Sequence, residues 1–97
     1  MFDLNEMTAD DFAPFQGQEF VITSTSPAVH LQLIEVKKLG SGERKGGAFS
    51  LLWQGPKEPA LAQATYRVSQ EKIGDNDLFL VPVALQDAGY QYEAVFT

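Results

Sequence analysis

Ninety-seven residues, 44% of them hydrophobic, with seven Phe, three Tyr, one Trp and no Cys, describe one small domain. It has enough apolar volume for a core that needs neither disulfides nor a structural metal, and the lack of Cys favours a reducing compartment. The net charge of −6 argues against general nucleic-acid binding, because a polyanion partner calls for a cationic face.

The N-terminus, Met1-Phe2-Asp3-Leu4-Asn5-Glu6, is acidic and lacks the basic and apolar regions of a secretion signal. Thr8 followed by Asp10 and Asp11 suits the start of a helix, where these groups meet unpaired N–H groups and the positive end of the helix dipole. Pro14 and Gly17 limit that helix to one or two turns over Ala9 to Phe15, with Phe12 and Phe15 on one face as a lid over the core.

From Glu19 the period becomes two, with Phe20 and Ile22 on one face, as in a strand. Ser24 to Pro27 reads as a turn. In Val29 to Lys37 the apolar phase slips at Leu33-Ile34, which predicts a β-bulge or a sharp bend. Lys37 to Gly47 is glycine-rich and basic and reads as a flexible loop. Phe49 to Gln54 alternates again, with Phe49, Leu51 and Trp53 together, and Gly55-Pro56 stops it. Ala64 to Ser69 forms another strand with Tyr66 and Val68 inward, and Gly74 to Asp77 reads as a turn.

Leu78 to Leu85 is apolar on both faces, so this strand is expected to be covered, at least in part, on both sides. It is the longest nearly uncharged apolar run and falls far short of the ~20 residues of a membrane-crossing helix, so no membrane partner and a cytoplasmic location are expected. Pro82 cannot donate to a ladder and places the strand at an edge or at a bulge. Gln86 to Gly89 turns the chain into Tyr90 to Phe96, an antiparallel hairpin. Together these elements predict a mainly β fold: a single small β-barrel or β-sandwich of six to seven mostly antiparallel strands with one short N-terminal helix.

Reactive chemistry is hard to assemble from these residues. His30 is the only histidine and alternates with Val29 and Leu31, which puts it on the solvent side of its strand. No G-x-S-x-G elbow accompanies it, and Ser41 falls in the glycine-rich stretch. Asp75-Asn76-Asp77 lacks the twelve-residue calcium frame and reads as turn chemistry. Gly40 to Gly46 resembles a phosphate loop, but its Lys precedes the Gly and a strand follows. The expectation is a non-enzymatic chain with no catalytic residues, no cofactor and no metal site.

The uneven charge carries more. Lys37 to Gly47 sets Lys37, Lys38, Arg44 and Lys45 against Glu43 alone, for +3, which leaves −9 on the rest of the chain. These four cations form the candidate partner-binding loop, facing the acidic surface of another subunit or of a second copy, where complementary charge sets orientation and encounter rate. Protein binding or self-association is therefore the leading functional expectation. The alternative is a small-molecule or carbohydrate-binding module, if Trp53, Tyr66, Tyr90 and Tyr92 face outward as stacking platforms instead of filling the core.

Phe49-Ser50-Leu51-Leu52-Trp53-Gln54-Gly55-Pro56, Thr65-Tyr66-Arg67-Val68, Leu78-Phe79-Leu80-Val81-Pro82-Val83 and Tyr92-Glu93-Ala94-Val95-Phe96 resemble a bacterial family of small domains of unknown function. That family carries segments like FSLLFxGP, GTYRL, LFLVPV and YEAVF. The opening Thr8 to Phe12 and Gly17 to Phe20 are similar as well, so the resemblance spans nearly the whole chain. Trp53 stands where the family usually has Phe, and Ala64 where it usually has Gly. Members are often encoded beside phage tail-collar-like proteins. The resemblance thus implies a role in tail-fibre-like or other phage-derived assemblies, and it supplies no catalytic residues.

Overall fold

The computed structural model describes residues 7–40 and 47–96. Asp11 reaches back along the first turn, where its Oδ2 accepts from the Thr8 backbone N–H at 2.8 Å and from the Thr8 hydroxyl at 3.3 Å. That contact opens α1 (Ala9–Phe12), and Pro14 then tightens the chain into a 3₁₀ turn (Ala13–Phe15). Phe12 and Phe15 are both buried, as expected of a lid.

Six strands follow: β1 (Glu19–Ile22), β2 (Val29–Gly40), β3 (Ala48–Gln54), β4 (Ala64–Gln70), β5 (Gly74–Gln86) and β6 (Gly89–Phe96). They close a ring in the order β1-β2-β3-β6-β5-β4, and every paired neighbour is antiparallel. A barrel of six strands is one of the two architectures that the patterning predicts. The hairpin of β5 and β6 turns at the expected place, with Gln86 opposite Gly89.

Three register shifts let two long strands curve around so small a ring. In β2 the pairing jumps from Leu33↔Trp53 to Glu35↔Leu52, so Ile34 is the extra residue, at the slip in the apolar phase. A second shift lies between Lys38 and Gly40. In β5 the jump between Pro82 and Ala84 makes Val83 the extra residue, so Pro82 occupies a bulge.

Inward residues align in rows across the wall. Leu33, Trp53 and Tyr92 form one row, Val36, Leu51 and Ala94 the next, and Phe49 and Phe96 the last, with the exposed Lys38 opposite Phe49 at the rim. At that last row α1 plugs the mouth of the barrel. Phe12 stands 5.7 Å from Phe49 and 6.0 Å from Phe96, and the latter two rings stack at 4.6 Å. Deeper, Trp53 meets Phe20 edge-on at 5.5 Å.

The opposite end closes by backbone contact. Gly55 N–H donates to the Tyr90 carbonyl at 2.7 Å, and Tyr90 N–H donates to the Pro56 carbonyl at 3.2 Å. Gly89, at φ +136°, lies so close that a Cβ there would come within 2.3 Å of the Gly55 carbonyl oxygen and 2.7 Å of Lys57 N. Only glycine fits both that dihedral and that space.

Three expectations need correction. Lys37 and Lys38 belong to a strand, opposite Ser50 and Phe49, and not to a flexible loop. The turn before β5 spans Glu71–Ile73, and Gly74 to Asp77 already pairs with β4. The buried Gln70 decides this. Its Oε1 accepts from Lys72 N at 2.7 Å and Ile73 N at 3.0 Å, which satisfies the turn's amides, while Ile73 drops into the core. Tyr66, by contrast, packs against the core as expected, half-buried, with its hydroxyl donating to the Ala62 carbonyl at 2.6 Å. Finally, no described residue covers the second side of Leu78 to Leu85, because a single-layer barrel wall has its core on one side only.

Candidate interaction surface

That uncovered side is the most unusual feature of the exterior. In β5, Leu78 and Leu80 point inward and are buried, which by the two-residue period turns Phe79 and Val81 outward. The bulge at Val83 re-aims the strand without returning that residue to the core. Phe79 is 51% exposed, Val83 49% and Leu85 59%, and Val95 on the adjacent β6 is 53% exposed. Leu85 lies opposite Tyr90, on the core side of the ladder at the barrel rim, but Phe79, Val83 and Val95 are three large apolar residues exposed on two neighbouring strands and form a patch, where single ones would be ordinary.

The surroundings of the patch have a definite charge pattern. Val81 lies opposite Glu93, which lies opposite Leu52, which lies opposite Glu35. On the next outward row Val95 lies opposite Ser50 and Ser50 opposite Lys37. Thr65 borders Phe79 from β4, and beyond it Arg67 and Asp77 close a direct cross-strand ion pair at 3.1 Å. The patch therefore holds one acid, Glu93, and two strands away on β2 stand a second acid, Glu35, in its own row and one cation, Lys37, on the neighbouring row.

The candidate basic loop is only partly brought together. Arg44 and Lys45 lie outside the described residues. Lys37 and Lys38 point to opposite faces of β2. Lys38 sits at the mouth of the barrel, where its Nζ lies 3.2 Å from Asp10 Oδ1 of α1, so this cation faces the protein's own helix. Lys37 stands on the outer wall, beside the apolar patch.

His30 is exposed, as its alternation requires, and its Nδ1 lies 3.0 Å from Glu19 Oε2 on the next strand. Among the described residues no three His, Asp or Glu side chains gather where a metal ion would bind, and no helix is long and apolar enough to cross a membrane. An internal gap of about 10 Å³ beneath α1, lined by Phe12, Phe20 and Leu78, is at the lower limit for one water and is a packing defect.

The four aromatics divide. Trp53 and Tyr92 are fully buried, whereas Tyr66 and Tyr90 are half-buried and packed against the core. Trp53 and Tyr92 therefore cannot serve as external platforms. The Tyr92 hydroxyl accepts a hydrogen bond from Leu61 N–H at 3.0 Å, and burial holds its phenol pKa above the usual value despite that bond. Trp53 Nε1 is buried with no partner among the described residues.

The sequence reading missed the apolar patch although its signal was present. A strand apolar on both faces says that something covers it, and the missing cover is not within the described chain.

No curated protein and no solved structure matches this chain. A family model described as a domain of unknown function, DUF6916, matches residues 7–96, which is the barrel with its helical lid. The chain is a member of that family.

Proposed function

We propose that this chain is a non-enzymatic protein-interaction module that self-associates through the outer wall of β5 and β6. The observation that carries the reading is the exposed patch of Phe79, Val83 and Val95. Removing apolar area from water is worth roughly 25 cal/mol per Å², and these side chains gain it only against a second surface.

A second copy suits the patch because its surroundings carry both signs of charge, Glu93 and Glu35 against Lys37. Under a two-fold axis Lys37 of one copy faces Glu93 of the other, and the reverse contact follows by symmetry. The rim must contribute too, since a stable interface buries about 800 Å² per partner. The resemblance to domains encoded beside phage tail-collar-like proteins supports placing the module in a tail-fibre-like or other phage-derived assembly.

Size-exclusion chromatography with light scattering, at low and high salt, tests this. Association through the patch persists at high salt, whereas association led by the basic stretch Lys37 to Gly47 weakens as salt screens it. Phe79→Ser is expected to shift the protein to monomer. Glu93→Lys weakens association, and combining it with Lys37→Glu restores it. A chain that is monomeric in every condition and forms no complex with proteins encoded beside it overturns the reading.

A further inference from the structure

The end of the barrel closed by Gly55 and Gly89 carries a second feature. Where the β5–β6 turn docks on the segment after β3, an open cleft of about 420 Å³ forms, lined by Lys57, Glu58, Leu85, Gln86, Asp87 and Tyr90. This lies within the ~300–1,000 Å³ of small-ligand sites. Its walls are held in place. The reciprocal bonds Gly55 N–H to Tyr90 O and Tyr90 N–H to Pro56 O fix one wall to the other, and the contact at Gly89 leaves no room for sliding.

We infer that this cleft binds a pyranose ring of a neutral saccharide. The chemistry of the lining selects that class. Glu58 and Asp87 accept hydrogen bonds, Lys57 donates, and Gln86 and the Tyr90 hydroxyl do both. A ligand must therefore offer donors and acceptors together, as ring hydroxyls do. Phosphate or a carboxylate would meet two carboxylates against one ammonium and is disfavoured. A simple amine would meet Lys57 and leave that cation's own donors unmatched. Leu85 and the part of Tyr90 left free by its packing on the core add apolar lining, against which the C–H groups of a sugar face can rest.

Leu85 lies opposite Tyr90 at the barrel end and no cleft residue is part of the apolar patch, so the two surfaces can be separated. ¹⁵N-labelled protein titrated with D-glucose, D-galactose, D-mannose and N-acetyl-D-glucosamine to about 50 mM reports the amides of Lys57, Glu58 and Gln86 to Tyr90, at the millimolar affinity expected of one ring in an open site. At least one sugar is expected to move these amides in a saturable way. Asp87→Ala, in an exposed turn, is expected to weaken that response several-fold while the spectrum stays dispersed. Tyr90→Phe keeps the stacking ring and most of the binding, whereas Tyr90→Ser loses it.

Sodium phosphate and methylammonium chloride serve as the competing probes. The inference fails if no sugar moves the cleft amides, if Asp87→Ala responds like the parent, or if either ion gives the larger shifts. Phe79→Ser is expected to change association and leave the sugar response intact, so failure of one reading does not carry the other with it.

Discussion

The two ends of the barrel are sealed by different physics. At the helical end a lid of side chains fills the mouth, with Phe12 over the stacked pair Phe49 and Phe96. At the far end backbone lies on backbone, with Gly89 pressed against Gly55, Pro56 and Lys57. A side-chain plug can be retrimmed, because neighbouring rings relax into part of any space that is lost. A backbone seal has no such slack. The far end, where the cleft lies, should therefore be the more rigid platform.

The sharpest way to break that contrast is Gly89→Ala. The new Cβ would sit at a left-handed dihedral and within 2.3–2.7 Å of three backbone atoms. The expected loss is at least about 4 kcal/mol, read as the midpoint of urea unfolding or as failure to fold. Gly55→Ala meets the movable side chains of Leu31 and Tyr92 at 3.0 Å and should cost less.

Phe12→Ala opens the side-chain seal and should cost about 3–4 kcal/mol, with the barrel's strand signal in circular dichroism retained below the transition. A loss for Phe12→Ala larger than for Gly89→Ala would reverse the comparison.

Tyr92→Phe sharpens it. Deleting the hydroxyl leaves Leu61 N–H without its acceptor and should cost about 1 kcal/mol at neutral pH. The pH dependence has a definite sign. Burial raises the folded Tyr92 pKa above the ordinary value of 10.0, so above about pH 10 the unfolded chain loses this proton first. The folded state then binds more protons than the unfolded one. Stability from this group is complete below that pH and falls as pH rises toward the folded pKa. The phenylalanine variant should show a shallower alkaline decline than the parent.

The smallest effect belongs to Lys38→Met. Lys38 and Asp10 are both largely exposed, so removing the pair should change stability by no more than about 0.5 kcal/mol, and less in high salt.

Much of the scaffold was legible in the sequence, because period-two alternation states which side chains share a face. Phe49, Leu51 and Trp53 lie inward as read, and the slip at Leu33-Ile34 is a bulge in the pairing. Errors arose where a residue type fits two places. Gly74-Asp75-Asn76-Asp77 has turn composition, yet Asp77 lies opposite Arg67 on a neighbouring strand and ion-pairs with it. The turn itself is fixed by hydrogen bonds to the Gln70 side chain, and nothing in local propensity announces those.

The surface was less legible. Apolar alternation identifies a second greasy side but not whether the chain itself covers it. The cleft joins Lys57 and Glu58 to Gln86, Asp87 and Tyr90 across about thirty residues of chain, and only the closing of the ring brings them together.

The hoop of strands is thinnest where β1 meets β4. The register there is two residue pairs, Val21↔Ser69 and Ile22↔Val68, with Thr23 N–H to the Arg67 carbonyl beside them, against six pairs between β3 and β6. A cylinder with one narrow joint opens there before it comes apart elsewhere, so amide protons along that joint should exchange with solvent sooner than those of β3. Tyr90 and Val95 lie on β6, two strands from the joint, whereas Phe79 lies on β5 directly beside β4, so the cleft end of β6 should hold its shape while the seam breathes and the apolar patch should feel the seam more.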